Sequence, residues 1–256
     1  MKSPLFTRKY CFWLLSLILF FSHNRALAEK SELVIATSTG YPPYYYQTDG
    51  RISGICVDVI DRVAETLGVK IVYKQYPWKR MLLSAEKGEV DAIFPLFKTA
   101  DREKYLDFGD LVLAFEEVIF FVNKNSPLNN RKKIDEVFNF PIGVVDGYSY
   151  GEYFDSKKDF KKVVTLGDYH LMTMFQHKRF EVGIGNRYVV MHNSLQRGIE
   201  NDISFLEPPL TSEPLYLAFS KKSNNTNLLD RFSEELMNLR KSGVYAQILQ
   251  KHGIQN

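Results

Sequence analysis

The stretch "YPWKRMLLSAEKGEVDAIFPLFKTADR", from Tyr76 to Arg102, decides the fold and points to a kind of site. An aromatic residue and two cations start a predicted helix at Trp78, and Gly88 ends it. A short apolar strand follows from Asp91, and a Thr-x-x-Arg turn closes the stretch. Because a guanidinium matches the two oxygens of a carboxylate, this order of residues is typical of a pocket that binds an anion. No recognised catalytic motif accompanies it, so a binding site is the first interpretation.

The start of the chain has the three parts of an export signal. Lys2, Arg8 and Lys9 precede an apolar run from Cys11 to Phe21, and the small residues "ALA" end at Ala28. The run is too short to span a bilayer, so we expect export to the periplasm with cleavage after Ala28, rather than an uncleaved membrane anchor. No second apolar stretch near ~18 residues follows, so we expect no membrane insertion after cleavage.

Charge and cysteine content narrow the function classes. The formal net charge is +3, and the predicted leader carries four cations and no acid, so the remaining chain is near −1. This excludes the basic footprint of nucleic-acid binding. Only Cys56 remains after cleavage, and the histidines lack the spacing of metal ligands. We therefore expect no disulfide, no metal and no cofactor.

Short apolar strands alternate with amphipathic helices along the chain. Strands are predicted for "ELVIATS" from Glu32, "KIVYK" from Lys70 and "DAIF" from Asp91, with helices between them. This βαβαβ order indicates an α/β fold with a largely parallel sheet. A second α/β set begins near Lys124, with a strand at "PIGVV", a helix that starts within 148–154, a strand at "KVVTL", a helix over 168–177 and a strand at "VGIG".

Two extended apolar segments, 117–124 and 214–220, are predicted to cross between the sets. The sequence therefore predicts two lobes joined by two crossovers, with a hinged cleft between them. The predicted division is a signal peptide over 1–28, lobe 1 over 29–120 with 215–256, and lobe 2 over 121–214. In such sheets, ligands bind at the carboxyl ends of the strands, where loops of both lobes meet.

Four stretches carry a resemblance to a known family. They are "YPPYYYQTDGRISGICVDVIDRVAETLG", "KGEVDAIF" with "TADREKYLDFGD", "GVVDGYSYGEYF" and "RFEVGIGN". With them, the chain resembles the family 3 extracellular solute-binding proteins, the periplasmic receptors of polar amino-acid ABC transporters. The resemblance implies the two-lobed type II fold of periplasmic binding proteins, a small polar solute in the cleft and an inner-membrane ABC permease as partner. We expect a monomer, because a hinged receptor leaves both lobes free for docking.

The resemblance also implies ligand-binding residues. Arg102 matches the arginine that clamps the ligand's carboxylate. Tyr41 and Trp78 match the two aromatic residues that sandwich the ligand's side chain, and Tyr44 is a further candidate. In the second lobe, Tyr148 and Ser149 lie where a helix is predicted to begin, and the free N–H groups of such a helix start would hold an anion.

Two departures from the family pattern concern the ligand. Phe97 stands where the family usually has a Ser or Thr that helps to bind the carboxylate. Asn186 stands where the family has the acid that pairs with the ligand's α-ammonium, and an amide brings no charge to that position. Two further cations, Arg80 and Lys98, lie close in sequence and are additional candidates. The prediction is therefore an aromatic-lined, anion-binding pocket, with an amino acid as one possible ligand among carboxylated or otherwise polar metabolites.

Other functions fit parts of the sequence. The same cleft serves receptors that signal to a membrane kinase or cyclase, and the same fold includes periplasmic dehydratases of prephenate-like substrates. For a dehydratase, Glu181 and Asp146 are the nearest acid/base candidates. The pentapeptide "GYSYG" (147–151) also fits the Gly-x-Ser-x-Gly elbow of hydrolases, although the oxyanion-loop signature is absent. We predict a binding protein with no catalytic residues.

Overall fold

A computed structural model of the protein describes residues 32–131, 133–223, 225 and 227–252. The predicted signal peptide and its cleavage site lie outside these residues. Within the described part of the chain, no helix combines the length and apolar character needed to cross a membrane.

The structure is built from twelve strands and seven α-helices in the described ranges. The strands are β1 (Glu32–Thr37), β2 (Tyr46–Thr48), β3 (Arg51–Ser53), β4 (Lys70–Gln75), β5 (Ala92–Leu96), β6 (Leu106–Asp107), β7 (Val112–Asn123), β8 (Ile142–Val145), β9 (Lys162–Thr165), β10 (Val182–Asn186), β11 (Ile203–Phe205) and β12 (Thr211–Ser220). The helices are α1 (Ile55–Leu67), α2 (Trp78–Lys87), α3 (Glu152–Asp155), α4 (Asp168–Gln176), α5 (Arg187–Leu195), α6 (Leu228–Lys241) and α7 (Val244–Lys251). Short 3₁₀ helices lie at Arg102–Lys104, Pro127–Asn130, Ile134–Asn139 and Glu200–Asp202.

One curled sheet holds most of the strands, in the order β4-β1-β5-β12-β7-β10-β8-β9. The outer sets, β4-β1-β5 and β10-β8-β9, are parallel, as predicted. Strands β7 and β12 join the sets through antiparallel pairing with each other and with β10 and β5. The predicted crossovers are thus two long central strands, and the fold is the predicted two-lobed α/β type. The lobe boundaries at 120/121 and 214/215 fall inside these strands and stay a prediction.

Glycines end the two helices of the first parallel set. Helix α1 buries residues at helical spacing, among them Cys56, Ile60 and Val63, and stops at Gly68, whose φ is +67°. Helix α2 starts directly after Pro77 and stops at Gly88, with φ +76°. A positive φ is strained for residues with a Cβ atom, so glycine at these positions fixes where each helix ends.

Two helices differ from the sequence prediction. A helix was predicted to start within 148–154, and α3 does so, but it starts late and spans only Glu152–Asp155, because side-chain bonds hold the preceding residues in a non-helical turn. Ser149 Oγ donates to Asp155 Oδ2 (2.5 Å), and the hydroxyl of Tyr150 accepts from the backbone N–H of Val145 (2.7 Å). Helix α5 was not predicted, and Asn186 caps its start.

Candidate functional site

A small cavity of about 30 Å³ lies beyond the carboxyl ends of β1, β5 and β8, where the topology predicts a ligand site. Both parallel sets and both central strands contribute to its wall. The lining residues are Tyr41, Tyr45, Trp78, Pro95, Leu96, Phe97, Arg102, Glu116, Tyr148, Ser149 and Leu215. Its wall therefore combines several aromatic rings with one cation and one acid.

Arg102 is a buried cation that faces this cavity. The turn after β5 leads into the 3₁₀ helix that carries it, and its side chain is only 7% exposed. Its Nη1 donates to the carbonyl of Phe97 (2.8 Å) and its Nη2 to the carbonyl of Gly147 (3.3 Å). Among the described residues it forms no ion pair with an acid. Burial lowers the pKa of Arg102, and the charges of Asp155 and Glu116 act in the opposite direction. An arginine stays protonated in proteins, so this guanidinium is a buried cation without a direct ion pair.

The aromatic residues tie the two sides of the cavity together. Trp78 Nε1 donates to the carbonyl of Gly147 (3.0 Å), the same oxygen that accepts from Arg102. The ring of Tyr148 lies edge-on to Trp78 (4.9 Å between centroids) and to Tyr41 (6.4 Å). Because Trp78 and Arg102 come from the first parallel set and Gly147 from the second, these contacts hold the cleft in a closed arrangement.

Glu116, on the central strand β7, is a functional candidate that the sequence prediction missed. It is 5% exposed and lines the cavity. Its Oε2 accepts hydrogen bonds from the hydroxyl of Tyr41 (2.8 Å) and from Asn186 Nδ2 (2.9 Å). The pKa of Glu116 is raised to about 7, mainly by burial and also by the negative charges of Asp168 and Glu213, against the effect of the two hydrogen bonds.

Asn186 and Tyr44 lie one hydrogen bond behind the cavity wall. Asn186 Oδ1 accepts from the backbone N–H groups of Tyr188 (2.9 Å) and Val189 (3.1 Å), which caps helix α5. Its Nδ2 donates to Glu116 and, at 3.3 Å, to the hydroxyl of Tyr44. The amide is therefore fully engaged within the protein, and the acid next to it is the group that reaches the cavity.

A second carboxyl, that of Asp168 at the start of α4, supports the aromatic wall. It accepts a hydrogen bond from the hydroxyl of Tyr148 (2.8 Å). Burial raises the pKa of Asp168 to about 6, although the Tyr148 bond acts in the opposite direction. Asp168 fixes the orientation of the Tyr148 ring without lining the cavity itself.

The charged candidates outside the cavity are paired at the surface. Arg80 pairs with Glu89 (3.0 Å) and Lys98 with Glu103 (3.0 Å). The two acid/base candidates of the dehydratase interpretation also lie outside the lining: Asp146 pairs with Lys79 (2.5 Å), and Glu181 is exposed at the start of β10.

The structure thus brings six predicted residues to one cavity and leaves four outside it. Those in the lining are Tyr41, Trp78, Phe97, Arg102, Tyr148 and Ser149; those outside are Tyr44, Arg80, Lys98 and Asn186. The signal for Glu116 was present in the sequence, where two acids interrupt the apolar strand β7 and alternation sends one of them inward. Among the described residues, no group of three or more His, Cys, Asp or Glu side chains could hold a metal ion.

Residues 33–255 match the sequence profile of the bacterial extracellular solute-binding proteins, family 3. The chain belongs to this family. Two relatives of the family 3 protein are an L-cystine-binding protein, TcyA, of Bacillus subtilis (21% identical over 88% of this chain and 82% of the relative) and a probable histidine-binding protein of Neisseria gonorrhoeae (24%, over 85% and 81%).

Solved structures show the same fold at low sequence identity. The arginine-, lysine-, histidine-binding protein ArtJ from Geobacillus stearothermophilus superposes with a TM-score of 0.76 at 22% identity, over 88% of this chain and 97% of that one. A histidine kinase sensor domain with similarity to periplasmic binding proteins gives a TM-score of 0.77 at 19% identity, over 87% and 96%. The two-lobed type II fold is therefore established for this family 3 protein.

Proposed function

We propose that this family 3 protein is a periplasmic receptor that captures a small polar solute bearing a carboxylate and delivers it to an inner-membrane ABC permease. The buried Arg102 carries this proposal. It faces the cavity without a direct ion pair to an acid among the described residues, and a buried cation of this kind is stabilised by a bound anion. The names of its relatives, which bind cystine or histidine, support a solute of this size and polarity.

The donor geometry of Arg102 suits a carboxylate. A guanidinium has five N–H donors, and the two backbone carbonyls account for two of them. The remaining donors are available to a planar anion, which a guanidinium binds with two parallel hydrogen bonds. The rings of Tyr41, Trp78 and Tyr148 supply rigid apolar contact area for the rest of the solute.

Closure explains how a bound solute could be reported to a partner. Arg102 and Trp78 both donate to the carbonyl of Gly147 across the cleft, so the residue that binds the anion also joins the two sides. Lys79 and Asp146 add an ion pair at the rim. A solute that occupies the cavity stabilises this arrangement, and a permease that recognises both lobes together binds the closed form.

The proposal is tested with a panel of amino acids and organic acids. The protein is prepared with Trp13→Phe, which leaves Trp78 as its one tryptophan, so that ligand binding changes the Trp78 emission and raises the melting temperature. Arg102→Ala should weaken binding of a confirmed ligand by about 2–5 kcal/mol, the range for truncating one partner of a buried charge pair.

The matched control is Arg80→Ala, because Arg80 is an exposed arginine near the same stretch, paired with Glu89 and absent from the cavity lining. It should leave the affinity within a factor of about two. Equal affinities of the wild type and the Arg102→Ala variant for every ligand found would contradict the proposal.

A sensing role is the second candidate, and the histidine kinase sensor domain of the same fold favours it. The two roles predict different phenotypes when the protein is deleted. If the protein serves a permease, deleting it abolishes uptake of the radiolabelled ligand. Unchanged uptake, together with loss of a transcriptional response to the ligand, would establish sensing instead.

A further inference from the structure

The cavity of the family 3 protein is small for a solute site. Its volume is about 30 Å³. One buried water molecule requires about 10–15 Å³ of such space, so the cavity has room for about two water molecules. Sites for drug-sized ligands are larger, at roughly 300–1,000 Å³. The side chain that fills the rest of the space between the lobes therefore decides how large a bound solute can be.

The ring of Tyr148, from the second lobe, fills the aromatic part of this space. Its centroid lies 4.9 Å from that of Trp78 and 6.4 Å from that of Tyr41, at angles of 69° and 79°. In the described part of the chain, the rings of Tyr41 and Trp78 do not pair with each other. The Tyr148 ring thus stands between them and takes up the aromatic surface that the apolar part of a solute would otherwise contact.

Tyr148 is held in this place at both ends of its side chain. Its hydroxyl donates to Asp168 Oδ2 (2.8 Å), and because burial raises the pKa of Tyr148, the hydroxyl keeps its proton near neutral pH. The residue before it, Gly147, accepts hydrogen bonds from Trp78 and Arg102 across the cleft. Moving the ring aside for a larger solute would break the bond to Asp168, and a lost hydrogen bond to a charged group is unfavourable.

The cation of the cavity lies directly beside this ring. The guanidinium carbon of Arg102 is 5.3 Å from the centroid of the Trp78 ring, the same ring that Tyr148 contacts. Phe97 lines the cavity next to Arg102 and is 5% exposed, and its carbonyl accepts from Arg102 Nη1. An anion on Arg102 therefore has aromatic rings on the sides where a longer solute would continue.

We propose that Tyr148 sets the size limit of this receptor and restricts its solute to a carboxylate of the size of formate, acetate or glycolate. This inference rests on the proposed function and adds to it the size of the solute. A carboxylate with a longer chain has to displace the Tyr148 ring from between Tyr41 and Trp78. Forcing extra atoms into a filled site moves side chains out of their preferred positions, which is unfavourable.

The test uses a series of probes that keeps the carboxylate and varies the chain: formate, acetate, propanoate, butanoate and 3-phenylpropanoate. Each is titrated calorimetrically into the wild-type protein and into Tyr148→Ala, in a buffer without carboxylates. We expect the wild type to bind acetate about tenfold or more tightly than 3-phenylpropanoate. Tyr148→Ala should reverse this order, because the space that the ring leaves is apolar and accepts a phenyl group, as engineered apolar cavities accept benzene.

The matched control is Tyr153→Ala. Tyr153 is an exposed tyrosine of helix α3, bonded to Asp135 and absent from the cavity lining. Its replacement should leave each affinity within a factor of about two, as is usual for surface substitutions. If Tyr148→Ala does not fold, the wild-type series decides alone: binding of 3-phenylpropanoate as tight as that of acetate overturns the inference.

The failures of the two proposals are distinguishable. If the wild type binds 3-phenylpropanoate as tightly as acetate and Arg102→Ala weakens both, the size limit is overturned and the carboxylate site stands. If the wild type prefers acetate but Arg102→Ala leaves its affinity unchanged, the carboxylate site is overturned and the size limit stands. An unchanged preference for acetate in Tyr148→Ala overturns the role of Tyr148. If no member of the series binds, the size limit is overturned, and the wider panel of amino acids then tests Arg102 alone.

Discussion

Arg102 and Glu116 are both buried charges in one cavity, and the chain supports them in different ways. Arg102 is held by backbone carbonyls, one of them only five residues away at Phe97. Glu116 is held by side chains 75 and 70 residues distant, those of Tyr41 and Asn186. The comparison teaches that the side of the cavity with the buried cation is largely built by a local turn. The side with the buried acid is built only once strands from the whole sheet have assembled.

The largest effect is expected from removing both charges together. If Arg102 and Glu116 bind different groups of one solute, Arg102→Ala and Glu116→Gln should each cost about 2–5 kcal/mol in binding. The double variant should lose more than either single variant, and the difference from the sum measures the coupling between two charges that line one cavity. Calorimetry on the wild type, the two single variants and the double variant measures this cycle. The ligand must bind the wild type tightly enough that its binding to the double variant is still measurable.

A loss of binding free energy in the double variant far below the sum of the two single losses would contradict the view that Arg102 and Glu116 act separately. If Glu116→Gln had no effect once Arg102 was replaced, the two groups would act on the ligand as one unit, and Glu116 would serve to position Arg102.

The next largest effect is expected in the pH dependence of stability, where Glu116 should contribute and Arg102, which stays protonated, should not. The pKa of Glu116 is raised from 4.5 to about 7 in the folded protein. Between these values the folded state keeps a proton that the unfolded chain has released, so the free energy of unfolding falls as pH rises through this window. The loss is about 3 kcal/mol for Glu116 and is complete above pH 7. Asp168, with a pKa raised from 3.8 to about 6, adds a loss of the same sign at lower pH.

Urea unfolding of the ligand-free protein at pH 5 and pH 8 tests this directly. Glu116→Gln should remove about 3 kcal/mol of the difference between the two pH values, because an amide does not titrate. The contribution of Asp168 remains in both proteins and cancels in the comparison. Identical pH dependence of the variant and the wild type would mean that Glu116 titrates normally in the folded state.

A smaller effect is expected from the contact that closes the cleft. Trp78→Phe keeps an aromatic ring against Tyr148 and removes the donor to the Gly147 carbonyl. The loss of one hydrogen bond should cost about 1 kcal/mol, seen as a roughly fivefold faster dissociation of the ligand. Stopped-flow displacement measures the rate, and an unchanged dissociation rate would show that this bond does not contribute to closure.

The smallest effect is expected at the rim. Lys79 and Asp146 form an ion pair across the cleft, but the side chain of Lys79 is 66% exposed. Exposed pairs contribute about 0.2–1 kcal/mol and are screened by salt. Lys79→Met should therefore lower ligand affinity less than threefold, and 0.5 M NaCl should reduce the difference from the wild type.

Local patterns predicted the parts of the molecule that local interactions determine. The stretch from Tyr76 to Arg102 indicated the helix α2, the strand β5 and the turn that presents Arg102, and all three are present. The end of helix α2 could be predicted because Gly88 tolerates the positive φ that a helix end of this kind requires.

Features that depend on distant contacts were not predicted. The helix expected to start within 148–154 starts late because the bond between Ser149 and Asp155 competes with helical backbone bonds. Alternation along β7 indicates that one of its two acids points inward, but the side chains that meet Glu116 there come from distant parts of the chain, so its role was not predicted. Asn186 was identified as a departure, but only the structure shows that its amide caps α5 and supports the acid at 116.

The most direct test of the account is a crystal structure of the family 3 protein with the solute that binds most tightly in the panel of amino acids and organic acids. We predict the solute's carboxylate within hydrogen-bond distance of the Arg102 guanidinium, with the rings of Tyr41 and Trp78 against the rest of the solute. A bound solute whose carboxylate contacts other groups, with the Arg102 guanidinium turned away from it, would contradict the account.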